Sequence, residues 1–308
     1  MNKENSIVIF GSGSIGKRHY EVSKNIENCE VSISSKSALR NIQLRELGYK
    51  IFNFDKKCDL GIIASEASKH IKDLKSNFKY AEKWIIEKPL FSIYSNETEE
   101  IKDILSYKNI FVGYNKRFEL GIDELKKYIS NQKIVTAHFK CFSNLENWRN
   151  ESISRSISLD FNKGGGVINE LSHEIDLANY LLGSIRSIKG KKRKRKYHDS
   201  MVEDTAFLKL FHKNGIETKV DISFGCSKEI RKSILLLDKK KVTYNHISGI
   251  LECKLRDSNK LLFHKSLSEK RNKSFERQIK TILFDNYSYA VPCSLIDGLS
   301  YVKMLKKL

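Results

Sequence analysis

Residues 6–26 read SIVIFGSGSIGKRHYEVSKNI, and this stretch decides the fold of the first part of the chain. Its apolar, β-branched beginning at 6–10 predicts a buried strand, and the residues from Lys17 to about Ile26 predict a helix. A glycine-rich turn at 11–16 joins the two. A strand, a tight turn and a helix in immediate succession are typical of the first unit of a parallel α/β sheet.

The turn has the spacing Gly11-x-Gly13-x-x-Gly16. Gly11 permits the tight turn, Gly13 allows a pyrophosphate to approach the backbone, and Gly16 allows the helix to pack closely on the strand. The phosphate groups are expected at the helix N-terminus, beside Ser14 and Ile15. The turn therefore predicts a dinucleotide site, and the alternative is a glycine-rich turn without a ligand.

The chain continues to about residue 118 with strand-like and helix-like stretches in alternation. This alternation predicts βαβ units, so we expect a first domain at 1–118 built on a doubly wound parallel sheet. Its further strands are predicted at 29–34, 59–64, 84–86 and 109–113, with a helix at 37–48.

The residues after 118 show longer strands and no second glycine motif. Some of these strands alternate apolar and polar residues, as in a sheet with one exposed face. We expect a second domain at 119–308. Its strands are predicted at 133–142, 205–212, 217–224, 233–237 and 240–244, and its helices at 166–182, 272–285 and 295–307.

The composition limits the class of protein. Of 308 residues, 40% are hydrophobic and 30% charged, which excludes a disordered or collagen-like chain. No continuous apolar run is long enough for a membrane span, and no targeting segment is visible, so no membrane partner is expected. Six scattered cysteines predict a reducing, cytoplasmic location with neither a disulfide framework nor a structural zinc site.

The formal net charge is +19, and the run KGKKRKRK at Lys189–Lys196 supplies seven of the positive charges. One interpretation is a surface for nucleic acid or another polyanion. The interpretation we favour is a lysine-rich composition imposed by an AT-rich genome. A positive field that serves an anionic small molecule, such as a phosphorylated cofactor, is compatible with it. The run is predicted to be a loop insertion between strands.

The end of the second predicted strand bears on the choice of cofactor. NAD-binding domains usually place a carboxylate here for the ribose 2′-hydroxyl, whereas this chain has Ser34-Ser35-Lys36. Two hydroxyls and a cation suit the 2′-phosphate of NADP better than the 2′-hydroxyl of NAD. The sequence therefore predicts a preference for NADP, with NAD as the alternative.

Two further motifs supply candidate catalytic groups. Glu87-Lys88-Pro89 ends a predicted strand, which puts a cation at the carboxyl edge of the sheet, where ligands bind.

The glycines at 164–166 precede a predicted helix on which Glu170, His173 and Asp176 share one face to within about 60°. A histidine between two carboxylates can act as an oriented acid or base. The alternatives are a solvated polar face or a core histidine satisfied by Asp176. Leu177 stands where a zincin motif has its second histidine, so no metal site is predicted.

In this order along the chain, these motifs resemble the glucose–fructose oxidoreductase / inositol dehydrogenase (Gfo/Idh/MocA) family of NAD(P)-dependent oxidoreductases. The resemblance also includes Gly113-Tyr-Asn-Lys-Arg-Phe118 and the closing segment with Pro292 and Asp297-Gly298-Leu299. It implies an N-terminal Rossmann domain and a C-terminal α/β domain with an open, mostly antiparallel sheet. That sheet often forms the oligomer contact, so a homodimer or homotetramer is expected.

The resemblance implies roles for individual residues. Lys88 lies beside the reacting hydroxyl, and His173 moves the hydroxyl proton as hydride passes to the nicotinamide. Many members place Asp four residues before that histidine, whereas here this position is Asn169 and the carboxylate is Glu170. The cofactor-contacting residues that it adds are Ala64, Ser65, His70, Glu87 and Lys88. The substrate-contacting candidates are Lys88, Arg117 and His173, together with Trp148, Arg149 and Arg155 of the polar segment before the glycines, for which simple surface exposure is the alternative.

The expected function is oxidation or reduction of one carbon of a sugar, cyclitol or sugar nucleotide, with the shorter glycine-to-histidine spacing suggesting bacterial surface-carbohydrate synthesis. The alternative from another class is a catalytically silent dinucleotide-binding sensor or accessory protein. The presence of both Lys88 and His173 favours the enzyme.

Overall fold

The computed structural model describes residues 4–95, 97, 100–148, 156–197 and 199–308. The chain divides into two compact units, Met1–Asn115 with Asn272–Val302, and Lys116–Arg271 with Lys303–Leu308. This division differs from the predicted boundary at 118, because a segment from the end of the chain belongs to the first unit.

The first unit contains a six-stranded sheet. Strands β1 to β5 run parallel, and β14 pairs antiparallel with β5 at one edge, in the order β14-β5-β4-β3-β1-β2. The strands are β1 Asn5–Phe10, β2 Cys29–Ser34, β3 Cys58–Ile63, β4 Ala81–Ile86, β5 Ile110–Val112 and β14 Cys293–Ser294. The predicted parallel strands are confirmed.

Helices cover this sheet through apolar contacts. They are α1 Ser14–Lys24, α2 Ala38–Glu46, α3 His70–Asn77, α7 Lys273–Leu283 and α8 Leu295–Leu305. Ile279 and Ile282 of α7 are fully buried in one cluster with Ile7, Ile9 and other residues of the sheet. Lys83 of β4 donates to the carbonyls of Ile282 and Leu283 at the end of α7, at 3.1 and 3.0 Å. These contacts place α7 in the first unit.

The second unit contains an eight-stranded sheet in the order β13-β12-β11-β10-β6-β9-β8-β7. Only β6 and β9 pair in parallel, so the sheet is largely antiparallel, as predicted. Its strands are β6 Ile134–Asn144, β7 Ile185–Arg193, β8 Thr205–His212, β9 Glu217–Ser223, β10 Gly225–Leu237, β11 Lys240–Asn245, β12 Ile250–Leu255 and β13 Leu261–Ser266. The helices of the second unit are α4 Leu120–Ile129, α5 Val167–Glu170 and α6 His173–Leu182.

The prediction of one helix over 166–182 is wrong, because α5 ends at Glu170 and α6 begins at His173. Side chains compete for the backbone at this point. The Ser172 hydroxyl donates to the carbonyl of Asn169 at 3.0 Å, and the Asn169 amide donates to the carbonyl of Gly165 at 2.9 Å.

The prediction that Lys189–Lys196 forms a loop is also wrong. Residues 189–193 lie in the edge strand β7, which pairs antiparallel with β8. The remaining residues turn around the buried carboxylate of Asp204, which accepts the backbone N–H groups of Arg195, Lys196 and Tyr197 at 2.9, 2.7 and 2.9 Å. Lysines on an edge strand discourage pairing with another sheet, which gives this run a structural role.

No helix in the described part of the chain is both long enough and apolar enough to cross a membrane.

Candidate active site

The carboxyl ends of the parallel strands bring the predicted residues of the first unit to one edge of the sheet. Ala64, directly after β3, donates its N–H to the last carbonyl of β1, and Glu87, directly after β4, donates to the last carbonyl of β3, at 2.8 and 2.9 Å. Gly11 donates likewise to the carbonyl of Ser34 at 2.9 Å. The three segments that follow these strands therefore lie side by side.

The glycine turn fits a dinucleotide. A Cβ atom on Gly11 would lie 2.5 Å from the carbonyl oxygen of Ala64, and one on Gly16 would lie 1.9 Å from that of Gly11, so both positions require glycine. A Cβ on Gly13 would meet nothing within 4 Å. Gly13 caps α1 without a side-chain hydrogen bond, and the first turn of the helix, with Ser14 and Ile15, contains no acidic residue. Open space in front of a helix N-terminus without a carboxylate is suited to a pyrophosphate.

The loop after β2 is held by Asn41. Its side chain accepts from the Ser35 N–H at 2.7 Å and donates to the Ser35 carbonyl at 2.8 Å. Ser34 is buried, whereas Ser35 is half-buried and Lys36 is exposed. The Lys36 ammonium pairs with the carboxylate of Asp73 on α3. Of the three predicted residues, Ser35 and Lys36 therefore remain available to a ligand, and Ser34 supports the turn.

The segment after β3 is fixed by a buried histidine. One ring nitrogen of His70, Nδ1, lies 2.9 Å from the carbonyl oxygen of Pro89, and the other, Nε2, lies 3.1 Å from that of Ser65. Burial lowers the pKa of His70, so the neutral ring is favoured. His70 thus lies between the loop after β3 and the segment after β4, and its contact with the cofactor stays a prediction.

Glu87 and Lys88 follow β4. The buried Glu87 carboxylate lies 2.7 Å from Nε2 of His19 on α1, and its other oxygen accepts the N–H of Lys88 at 3.1 Å. Burial opposes ionisation of Glu87, but the interaction with His19 and the charge of Lys88 lower its pKa below the ordinary value. Lys88 is half-buried, and it directly follows Glu87, whose carboxylate contacts both His19 and the Lys88 N–H.

In the second unit, the three glycines form a turn packed against two other segments. A Cβ on Gly165 would lie 2.5 Å from the carbonyl oxygen of Ile157, and one on Gly166 would lie 2.9 Å from the Glu203 carboxylate. Gly166 has a φ of +104°, a backbone conformation that residues with a side chain rarely adopt. Glu203 accepts the N–H of Ile168 at 3.1 Å and so fixes the start of α5.

The helix break separates Glu170 from His173 and Asp176, which both lie on α6. Glu170, at the end of α5, accepts from the buried Ser158 hydroxyl at 2.7 Å. His173 is the first residue of α6 and is half-buried. Asp176 is fully buried and forms a two-point ion pair with Arg117, Nε to Oδ2 at 2.9 Å and Nη2 to Oδ1 at 2.5 Å.

A second ion pair holds α6 one residue after His173. Nε of Arg231, on β10, donates to the buried carboxylate of Glu174 at 2.8 Å. The charge of Glu174 keeps the pKa of Arg231 above its ordinary value against the opposing effect of burial. The first turn of α6 is therefore tied to the sheet by Arg231 and to the segment before α4 by Arg117.

Residues 122–237 match the family model described as GFO/IDH/MocA C-terminal domain. This part of the chain is therefore similar to the C-terminal domain of the Gfo/Idh/MocA family. A curated relative from Bacillus subtilis (strain 168), the Uncharacterized oxidoreductase YrbE, is 24% identical over 239 residues, which cover 72% of this chain and 68% of YrbE.

Two solved structures share the fold of this protein. Levoglucosan dehydrogenase in complex with NADH superposes with a TM-score of 0.81 at 15% identity, over 98% of this chain and 95% of that chain. UDP-N-acetylglucosamine 3-dehydrogenase from Acidithiobacillus ferrooxidans gives a TM-score of 0.75 at 15% identity, with the same two coverages.

The structure places the remaining predicted substrate-contacting residues in different surroundings. Arg117 and Asp176 form a buried ion pair in the second unit, an arrangement that suits positioning of α6, and their predicted roles at the substrate stay predictions. Trp148 is half-buried and packs edge-on against Phe224, with ring centroids 5.9 Å apart. Arg149 and Arg155 lie outside the residues that the structure describes.

Sequence reasoning missed several supporting residues. His19 and Asp73 contact the predicted residues Glu87 and Lys36, and Arg231 contacts Glu174, which follows the predicted His173. Each lies far from its partner in the sequence. Only His19 carried a local signal, because it follows the glycine turn on the same helix. In the described residues, no cluster of three or more His, Cys, Asp or Glu is arranged to hold a metal ion.

Proposed function

We propose that this protein is an NAD(P)-dependent oxidoreductase that transfers a hydride to or from a hydroxyl-bearing carbon of a sugar or sugar nucleotide. One observation carries the proposal: the glycine turn, the segment after β3 and Lys88 lie side by side at the carboxyl edge of the parallel sheet. Ligands bind at this edge in open α/β sheets. The likeness to a sugar dehydrogenase and to a sugar-nucleotide dehydrogenase supports the substrate class.

Different residues of the first unit contact different parts of the proposed cofactor. The N-terminus of α1 and the open space at Gly13 bind the pyrophosphate of the cofactor, and Ser35 with Lys36 receives the 2′-substituent. The nicotinamide, when bound, supplies the hydride acceptor or donor. We propose NADP as the preferred form, because the loop after β2 offers hydroxyls and a cation.

Lys88 and His173 carry the proton chemistry. Lys88 donates a hydrogen bond to the reacting oxygen and stabilises the negative charge that grows there. His173 takes the hydroxyl proton in oxidation and returns it in reduction. Glu87 and His70 hold Lys88, while Arg117 and Arg231 hold the helix turn that begins with His173. Glu170, which is bonded to Ser158, is a positioning candidate for the same turn.

The wider setting of the enzyme remains part of the proposal. The substrate belongs to surface-carbohydrate synthesis, the location is the cytoplasm, and the assembly is a homodimer or homotetramer. The exposed face of the second sheet supports an assembly, since open sheets with one unpartnered face are common oligomer contacts.

The experiment is a hydride-transfer assay with a panel of sugars, cyclitols and UDP-sugars, followed by the absorbance of the reduced nicotinamide. We expect Lys88→Ala and His173→Ala each to lower turnover roughly 100-fold or more while cofactor binding is kept. Lys303→Ala and His264→Ala, at exposed positions, are the matched controls. A wild type that binds the cofactor but transfers hydride to or from no member of the panel would instead support the silent binding protein.

A further inference from the structure

A carboxylate, that of Asp73, lies next to the loop after β2, although this loop has no carboxylate of its own. The Lys36 ammonium forms an ion pair with Asp73, which lies 37 residues later on α3. The Lys36 side chain is 63% exposed, whereas that of Asp73 is 6% exposed. The cation therefore faces solvent, with the carboxylate behind it.

Both partners are attached to fixed elements. Asn41 makes two hydrogen bonds with the backbone of Ser35, and the Ser37 hydroxyl accepts from the Arg40 N–H at 3.2 Å to cap α2. On the other side, α3 begins at His70, whose two ring nitrogens lie 2.9 and 3.1 Å from the carbonyl oxygens of Pro89 and Ser65. The Lys36–Asp73 pair is thus held by both neighbouring loops at the carboxyl edge of the sheet.

The pair changes what the loop offers to a ligand. NADP carries an anionic phosphate where NAD has a neutral 2′-hydroxyl, so an unpaired lysine at this place would favour NADP strongly. A carboxylate in contact with the same ammonium repels that phosphate and competes for the cation. The hydroxyl of NAD suffers no such repulsion.

We propose that Asp73 is a specificity-determining residue that restrains the preference of the Lys36 loop for 2′-phosphorylated cofactor and keeps NAD usable. This inference rests on the proposed dinucleotide site at the glycine turn. It assigns the cofactor choice to two strand-end loops together, instead of to the loop after β2 alone.

The test compares the Kd values of NADP and NAD for wild type and Asp73→Asn by calorimetric titration at low salt. Because Lys36 is exposed, we expect the NADP/NAD affinity ratio to rise about three- to fivefold in the variant. The rise should shrink as salt is added, because the interaction is between charges near solvent. An unchanged or lower ratio would overturn the inference.

A matched control comes from the same helix. Lys75 of α3 pairs with Asp103 at 2.9 Å, and Asp103→Asn removes a Lys–Asp pair with the same change in net charge. It should leave the ratio unchanged, and an equal rise in both variants would show a general charge effect and contradict a specific role for Asp73.

A second variant keeps the inference testable if Asp73→Asn does not fold. Lys36→Gln removes the cation and leaves the carboxylate, so NADP should bind several-fold more weakly while NAD changes little. Equal weakening of both cofactors would contradict the assignment. If neither cofactor binds wild type, the proposed function itself fails, whereas binding with an unmoved ratio defeats only the role of Asp73.

Discussion

Gly13 and Gly16 stand three residues apart, and the structure separates their roles. Gly13 has a φ of −73°, which any residue adopts, and open space around it. We predict that Gly13→Val folds like wild type but no longer binds dinucleotide, because the isopropyl group occupies the space reserved for the pyrophosphate. In a thermal-shift titration, NADP should raise the Tm of wild type by mass action and leave that of the variant unchanged.

Gly16→Ala is the contrasting variant. Its methyl group would lie 1.9 Å from the carbonyl oxygen of Gly11, so the turn cannot keep its conformation and the free energy of unfolding should fall by about 2 kcal/mol or more.

For the Gly13→Val variant, one result would contradict the prediction. If the cofactor raised its Tm as much as that of wild type, the dinucleotide would not bind at this turn.

Residues whose role depends on local backbone were predictable from the sequence. The glycines and Lys88 belong to short motifs at strand ends, and the structure places them there. Arg117 is predicted to contact substrate, but its ion pair with Asp176, 59 residues away, could not be predicted because only the folded chain brings the two together. Pairing between distant side chains leaves no local pattern.

Among the elements, α6 determines where His173 lies. The buried Arg117–Asp176 pair holds its first turn, and Arg117 also stacks over the ring of Tyr180, 4.9 Å from the centroid. We predict that Arg117→Met lowers the free energy of unfolding by about 3 kcal/mol, because it leaves a charged carboxylate without a cation in the interior. Urea denaturation measures this loss.

The double variant Arg117→Met/Asp176→Leu separates stability from positioning. Replacement of both charges by apolar groups should restore most of the stability, since isolated buried pairs contribute little net free energy. We expect turnover to stay low, with KM less affected, because the α6 turn that begins with His173 keeps only one of its two ion pairs, that of Arg231 with Glu174. Full recovery of turnover would contradict the positioning role.

Two elements show why periodicity alone was insufficient. The apolar residues of 166–182 fit one continuous helix, but the hydrogen bonds of Asn169 and Ser172 to backbone carbonyls break it. The charges of Lys189–Lys196 concealed a strand, because an edge strand has few buried positions and therefore no alternating pattern. In both cases the deciding contacts lie outside hydrophobic patterning.

For the whole molecule, the order of segments along the chain does not match the order of domains. The chain leaves the first unit after Asn115 and returns with Asn272–Val302. The amphipathic pattern of α7 predicted a helix, but it could not indicate which sheet the apolar face covers. That choice depends on Lys83 and the apolar cluster around Ile7 and Ile9, far earlier in the sequence.

Buried histidines in both units should make the stability of the whole molecule depend on pH. Burial lowers the pKa of His70 in the first unit and of His212 and His246 in the second. His246 is also beside Glu119, which raises its pKa, and near Arg231 and Lys116, which lower it. The net direction is down for all three, so each binds a proton more readily in the unfolded chain than in the folded one.

Acid should therefore destabilise the protein before its carboxylates titrate. Above the ordinary histidine pKa of about 6.5, both states are neutral and the histidines contribute no pH dependence; below it, the unfolded state takes up protons first. We predict that the free energy of unfolding, measured by urea denaturation, falls by about 1–3 kcal/mol from about pH 7.5 to about pH 5.5.

Two variants test whether buried histidines cause this fall. His212→Gln, which keeps hydrogen-bonding groups near Gly183 and Thr218, should reduce the fall, whereas His264→Gln at an exposed position should not. A wild-type free energy that stays constant across this range would contradict the assignment of neutral, buried rings.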